Sequence, residues 1–181
     1  MKKKLILSLF TAVIALAVNA QTALKNVYDE DINPIEQIDN AIAKAKTEGK
    51  FVICQVGGNW CPWCLRFVDF ITNDTTISKV IDESFVYIHV NYNPRKSGGA
   101  EKDTLAKSML QRLKHPARFG FPVFVVLDEN GNVIHIQDSS FLEGRDPETT
   151  ECLGEGDQGQ GYSKEKVLRF FRNWTPKAVK Q

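Results

Sequence analysis

Apolar positions along the chain follow two spacings, and the switches between them outline the elements. Ile35, Ile38, Ile42 and Ala45 recur every three or four residues, which puts them on one face of a helix. Asn33, Pro34 and Glu36 read as N-cap, first helical position and capping-box acid, and Gly49 ends the run. Phe51 to Val56 is a short buried strand. Leu65, Phe67, Val68 and Ile71 supply the core contacts of a second helix, capped by Asn59 or Cys61 and opened by Pro62. A short helical turn is expected over Thr75 to Ile81, and a β-prone strand over Phe85 to Tyr92. After a loop from Pro94 to Ala100, Leu105, Met109 and Leu113 share one side of a helix that starts near Glu101. Val123 to Leu127 is an apolar strand, Asp128-Glu129-Asn130-Gly131 a hairpin turn, and Asn132 to Gln137 the returning strand. Ser163 caps a last helix in which Val167, Phe170, Phe171 and Trp174 repeat at i, i+3, i+4 and i+7.

The order is a crossover unit, then a hairpin, then a covering helix. It predicts an α/β fold with a mixed central sheet and helices on both faces. The domain is expected over 34–181, behind a polar leader at 21–33, with no internal repeat and no second domain. Two segments are longer than such a unit needs: about 94–119, and a stretch rich in glycine and acid at about 143–161 that contains Cys152. That second stretch cannot bury enough apolar surface to order itself strongly. It reads as a surface loop or a partner-recognition loop.

The first twenty residues change the picture. Lys2-Lys3-Lys4 is a basic start, Leu5 to Val18 is almost wholly apolar, and Val18-Asn19-Ala20 offers small residues where a signal peptidase cuts. The apolar run is short for a bilayer span. The expectation is a signal peptide at 1–20, cleavage before Gln21, and a periplasmic or extracellular protein with no stable membrane insertion afterwards. The 181-residue chain has a formal charge of +1. Acid and base balance, which gives no support for a nucleic-acid partner. Its four cysteines are too few for a disulfide framework and enough for redox chemistry in an oxidising compartment.

The chemistry centres on Gly57-Gly58-Asn59-Trp60-Cys61-Pro62-Trp63-Cys64, directly after the first strand. The spacing lets two thiols close a small disulfide ring and sets Cys61 at the positive end of a helix, where a thiolate is stabilised. Thiolates attack disulfides, so the arrangement implies thiol–disulfide exchange. Zinc is a competing reading, but Cys54 and Cys152 stand alone and the three histidines are scattered. A structural staple is another, although a staple usually closes a longer loop. A c-type haem would need histidine at position 65, which is Leu. Cys54, mid-strand, reads as buried and inert. No cofactor is called for.

Taken together these residues resemble the thioredoxin-fold family. The motif Trp60-Cys61-x-x-Cys64, Phe121-Pro122 ahead of a strand, the turn Asp128 to Gly131, and Gly161 through Phe171 carry the likeness over roughly residues 34 to 175. The resemblance implies a three-layer sandwich. It implies that Cys61 attacks and Cys64 resolves, and that Pro122 is cis rather than a trans proline at a strand edge. Phe121 would pair with the bound substrate chain, and Trp60, Pro62 and Trp63 would line the substrate groove. Trp60 has core packing as its other role. Two departures matter. Pro62-Trp63 stands between the cysteines where Gly-Pro is usual, and Gln55 occupies the place of a buried Asp. Gln55 cannot titrate, so the proton of Cys64 must move by water or by the thiolate itself. Phe121 is bulkier than is usual and narrows the groove.

The leading expectation is an exported oxidoreductase that reduces protein disulfides, with protein disulfides or thiols as substrates and a membrane-bound thiol as electron donor. The alternatives are a peptide-binding or chaperone module without redox turnover, and a disulfide oxidase or isomerase. The lack of a His between the cysteines favours the reductase.

Overall fold

The computed structural model describes residues 25–144 and 161–181. The expected signal peptide, leader positions 21–24, and Cys152 with most of the acidic glycine-rich segment lie outside the described residues.

Among the described residues a four-stranded sheet has the order β2-β1-β3-β4. Strand β1 (Phe51–Gly57) runs parallel to β2 (Phe85–Asn91) and antiparallel to β3 (Val123–Leu127), and β3 pairs antiparallel with β4 (Val133–Asp138). Parallel pairing of β1 and β2 needs a crossover. Helices α2 (Pro62–Asn73) and α3 (Thr75–Ser84) supply it. Asp74 caps helix α3 through Thr76 and Ile77 N–H, and the helix runs three residues past the expected turn to Ser84, where the Phe85 N–H closes on the Ile81 carbonyl and β2 begins.

Every residue of β1 is buried, since the strand is central and covered on both faces. Its alternation assigns the two cores. Phe51 and Ile53 face Phe67 and Ile71 of α2, Ile77 and Ile81 of α3, and Val167, Phe170 and Phe171 of the last long helix, α5 (Lys164–Asn173). Val52, Cys54 and Val56 face Ile38, Ala41 and Ala45 of α1 (Pro34–Glu48) and Met109 of α4 (Ala100–Arg112), with Leu113 just beyond it. A short α6 (Pro176–Val179) ends the chain. The result is the expected three-layer α/β sandwich. The same period of two puts Gln55 on the α2 face.

Helix α1 begins as its sequence dictates. Asn33 Oδ1 accepts from the N–H groups of Ile35 at 2.9 Å and Glu36 at 3.4 Å, and Gly49 closes the helix at φ 67°. Asn33→Ala removes the acceptor for those free donors. The expected loss is about 1 kcal/mol, read as a lowered urea midpoint with an unchanged slope.

The ends of the glycine-rich segment meet. Gly144 N–H donates to the Gly161 carbonyl at 3.0 Å, and Glu143 bridges Tyr162. Tyr162 is buried against Phe67 and Trp63 of α2, so this stem stands beside the cysteine motif.

Candidate active site

Cys61 and Cys64 form a disulfide across the first turn of α2, with their Cα atoms 5.3 Å apart. Local sequence explains the placement. Cys61 is the N-cap, in extended conformation, and Pro62 opens the helix where no N–H is needed. The Cys64 N–H donates to Cys61 Sγ at 3.2 Å. No acid occupies the first turn of α2, so no carboxylate in that turn offsets the positive helix end beside Cys61.

Both cysteines are largely buried, and the residual access differs: Cys61 keeps 4% exposure and Cys64 none. Cys61 borders a cleft of about 350 Å³ that also touches Trp60, Pro62, Trp63, Arg95 and Phe121. Cys64 is fully buried and does not reach that cleft. The cleft therefore gathers all the expected groove residues except Pro122, which is buried next to Phe121 in a cis Phe121–Pro122 bond. Trp60 stands edge-on to Phe121 at 5.4 Å between ring centroids, and its indole N–H donates to the Tyr92 carbonyl at 3.0 Å. Trp60 is thus both groove wall and packed residue. Arg95, over Trp60 at 5.6 Å, adds a cation that the sequence reading did not single out.

Beneath Cys64 lies a polar network. Gln55 is fully buried, with both amide N–H donors and the amide oxygen bonded. Its Nε2 donates to the Cys64 carbonyl at 3.0 Å and to Tyr28 Oη at 2.7 Å, and its Oε1 accepts from the Tyr87 hydroxyl at 2.6 Å. The carbonyl can only accept, so the orientation of the amide is fixed. Burial raises the pKa of both tyrosines well above the ordinary phenol value, so both stay neutral.

Tyr28 comes from the stretch that reads as a polar leader. Asn59, two residues before Cys61, holds it there. Its Oδ1 accepts from Val27 and Tyr28 N–H, both at 3.1 Å, and its Nδ2 donates to the Tyr28 carbonyl at 2.8 Å. An Asn in the motif facing an aromatic upstream was the only available signal, and it has no periodicity to mark it.

His89 lies edge-on between Tyr28 and Tyr87, with centroids 5.4 Å from each, and its Nε2 is buried without a partner. Burial lowers its pKa to about 4. An unfolded histidine titrates near 6.5. Between these values the unfolded chain binds a proton that the folded chain refuses, so stability falls as pH drops through the window. The ring is partly exposed, which reduces the effect to about 2 kcal/mol. Urea melts at pH 7 and pH 4.5 test this: His89→Phe is expected to lose about 2 kcal/mol less than the wild type over that interval.

Cys54 lies on the opposite face of β1, fully buried, with its thiol pushed up to about 12 by burial. It takes no part in the site.

The fold has counterparts among solved structures. A disulphide isomerase from Xylella fastidiosa Temecula1 superposes with a TM-score of 0.56 at 22% identity, covering 83% of this chain and 98% of that one. A protein described as DsbH oxidoreductase gives 0.43 at 19% identity, over 55% of this chain and 67% of that one. A thioredoxin from Thermus thermophilus gives 0.40 at 22% identity, over 55% and 69%. No curated protein matches the sequence. The family model of a thioredoxin-like domain matches residues 38–138. With the sheet order, the capped Cys61–Cys64 pair and that match in hand, the chain belongs to the thioredoxin-like family.

Proposed function

We propose that this protein is exported and reduces disulfides in other proteins, recharged by a membrane-bound thiol donor. It is a thiol–disulfide oxidoreductase: a family member with a Cys-x-x-Cys pair closed as a disulfide at a helix N-terminus. The observation that carries the reading is the unequal access of the two sulfurs. Cys61 opens on an aromatic cleft, and Cys64 is sealed below it. A substrate disulfide meets Cys61 first. Its sulfur bonds to Cys61 and its other half leaves as a thiol. Cys64 then displaces the bound half, and the Cys61–Cys64 disulfide closes.

Export is supported by the basic start and apolar run of residues 2–20. Among the described residues no helix is long and apolar enough to cross a membrane. The reducing direction is supported by Pro62-Trp63, which places no histidine beside the disulfide to destabilise it.

Equilibration with glutathione buffers tests the direction. A reductase is expected below about −200 mV, and a value near −120 mV would make the protein an oxidant instead. Acceleration of insulin reduction by dithiothreitol separates turnover from mere peptide binding, which would leave the rate unchanged. N-terminal sequencing of protein recovered from outside the cytoplasm tests export, with Gln21 as the expected first residue.

A further inference from the structure

Resolution of the mixed disulfide needs Cys64 as a thiolate, in a place that excludes water. Cys64 is fully buried, and the residue at the family's buried-acid position is an amide. Some other group must stabilise the charge. Three tyrosine hydroxyls lie near the base of α2. Tyr87 gives its proton to Gln55 Oε1, and Tyr162 gives its proton to the Trp63 carbonyl at 3.1 Å. Tyr28 differs, because its oxygen accepts from Gln55 Nε2 and its own proton is directed elsewhere.

Gly57 shows what lies near it. A β-carbon at that residue would lie 2.5 Å from Cys64 Sγ and 2.9 Å from Tyr28 Oη, so sulfur and hydroxyl border the same small space beside Gly57. Tyr28, Cys61, Cys64 and Leu65 form one buried cluster, and Tyr28 is 4% exposed. Among the described residues the Tyr28 hydroxyl donates no hydrogen bond while Cys64 Sγ is tied up in the disulfide, so its proton is free to meet the sulfur once the disulfide opens.

We propose that the Tyr28 hydroxyl, held by Gln55 and Asn59, donates a hydrogen bond to Cys64 Sγ and stabilises the resolving thiolate. The inference rests on thiol–disulfide exchange through Cys61 and Cys64. Cys64 gives up its proton, which ends on the departing substrate sulfur, and the Cys64 thiolate attacks Cys61 Sγ. The Cys61–Cys64 bond forms as the bond from Cys61 to the substrate sulfur breaks. The electron pair leaves on the substrate sulfur, which takes up a proton and departs as a thiol. Tyr28 stays a neutral phenol throughout, in keeping with its burial. It is a donor to the charge and not a base.

In a Cys152→Ser background, with Cys54 buried, reduced protein mixed with 5,5′-dithiobis(2-nitrobenzoate) in a stopped-flow instrument separates the steps. Attack by Cys61 releases one coloured thiol, and resolution by Cys64 releases the second. Tyr28→Phe keeps the ring and removes only the hydroxyl. It is expected to leave the first release within about twofold of wild type and slow the second by about tenfold or more, as befits a lost hydrogen bond to a charge. Tyr87→Phe breaks the same network on the side away from Cys64 and is expected to change the second release by less than about threefold. A Tyr28→Phe second release at the wild-type rate overturns the proposal. So does an equal slowing in Tyr87→Phe, or a slowing of both releases together, since either would mean general loosening. A wild-type protein that never yields the second thiol removes the exchange reading itself, and the proposal with it.

Discussion

Cys61→Ser is expected to reduce insulin turnover to the uncatalysed rate, a loss of about a thousandfold or more. The hydroxyl that replaces the sulfur is not ionised near neutral pH and does not attack a disulfide. Cys64 cannot substitute for it, because it is sealed from the cleft that Cys61 borders. A different outcome is expected for Cys64→Ser. Attack still occurs, since Cys61 keeps its place at the N-cap of α2 and the positive helix end. The mixed disulfide then persists for want of a resolving thiol, and accumulates as a covalent adduct on non-reducing gels. The two variants together assign the roles. Adducts from Cys61→Ser, with none from Cys64→Ser, would reverse them.

How much of this site the sequence discloses depends on whether a residue's partners are local. Cys61, Pro62 and Cys64 are legible because capping and first-turn geometry are matters of a few residues. The cores are legible because Ile38 and Ala45, or Phe51 and Ile53, carry the period of their element. Tyr28 is not legible. It lies in a short polar stretch with no helix or strand period, and its bond to Gln55 spans 27 residues. Asn59 has the same difficulty, with partners 31 and 32 positions back. Gln55 falls between the two cases. Its place opposite Cys64 follows from strand alternation, and its inability to titrate follows from its chemistry. That its amide joins two tyrosines from different elements does not follow from either. The aromatic groove shows the same divide. Trp60 and Phe121 are visible as motif residues, and the Tyr92 carbonyl that anchors the Trp60 indole becomes evident only in the fold.

The polar network is also a structural element, and Gln55→Leu measures that. Leucine matches the site in size and adds apolar contact. It leaves the Tyr87 hydroxyl without its acceptor, the Tyr28 oxygen without its donor, and the Cys64 carbonyl with one bond fewer. A buried polar group stripped of its partner costs about 1–3 kcal/mol. The gain from burying an apolar side chain offsets part of this, so a net loss of about 3 kcal/mol is expected. For a domain of this size that is a fall of roughly 10 °C in melting temperature, measurable by calorimetry on the oxidised protein. The double variant Gln55→Leu, Tyr87→Phe is expected to recover part of the loss, because removing the orphaned hydroxyl removes its penalty. A Gln55→Leu protein as stable as the wild type would show that the tyrosine hydroxyls find other partners, and that the amide is not what holds Tyr28 beside Cys64.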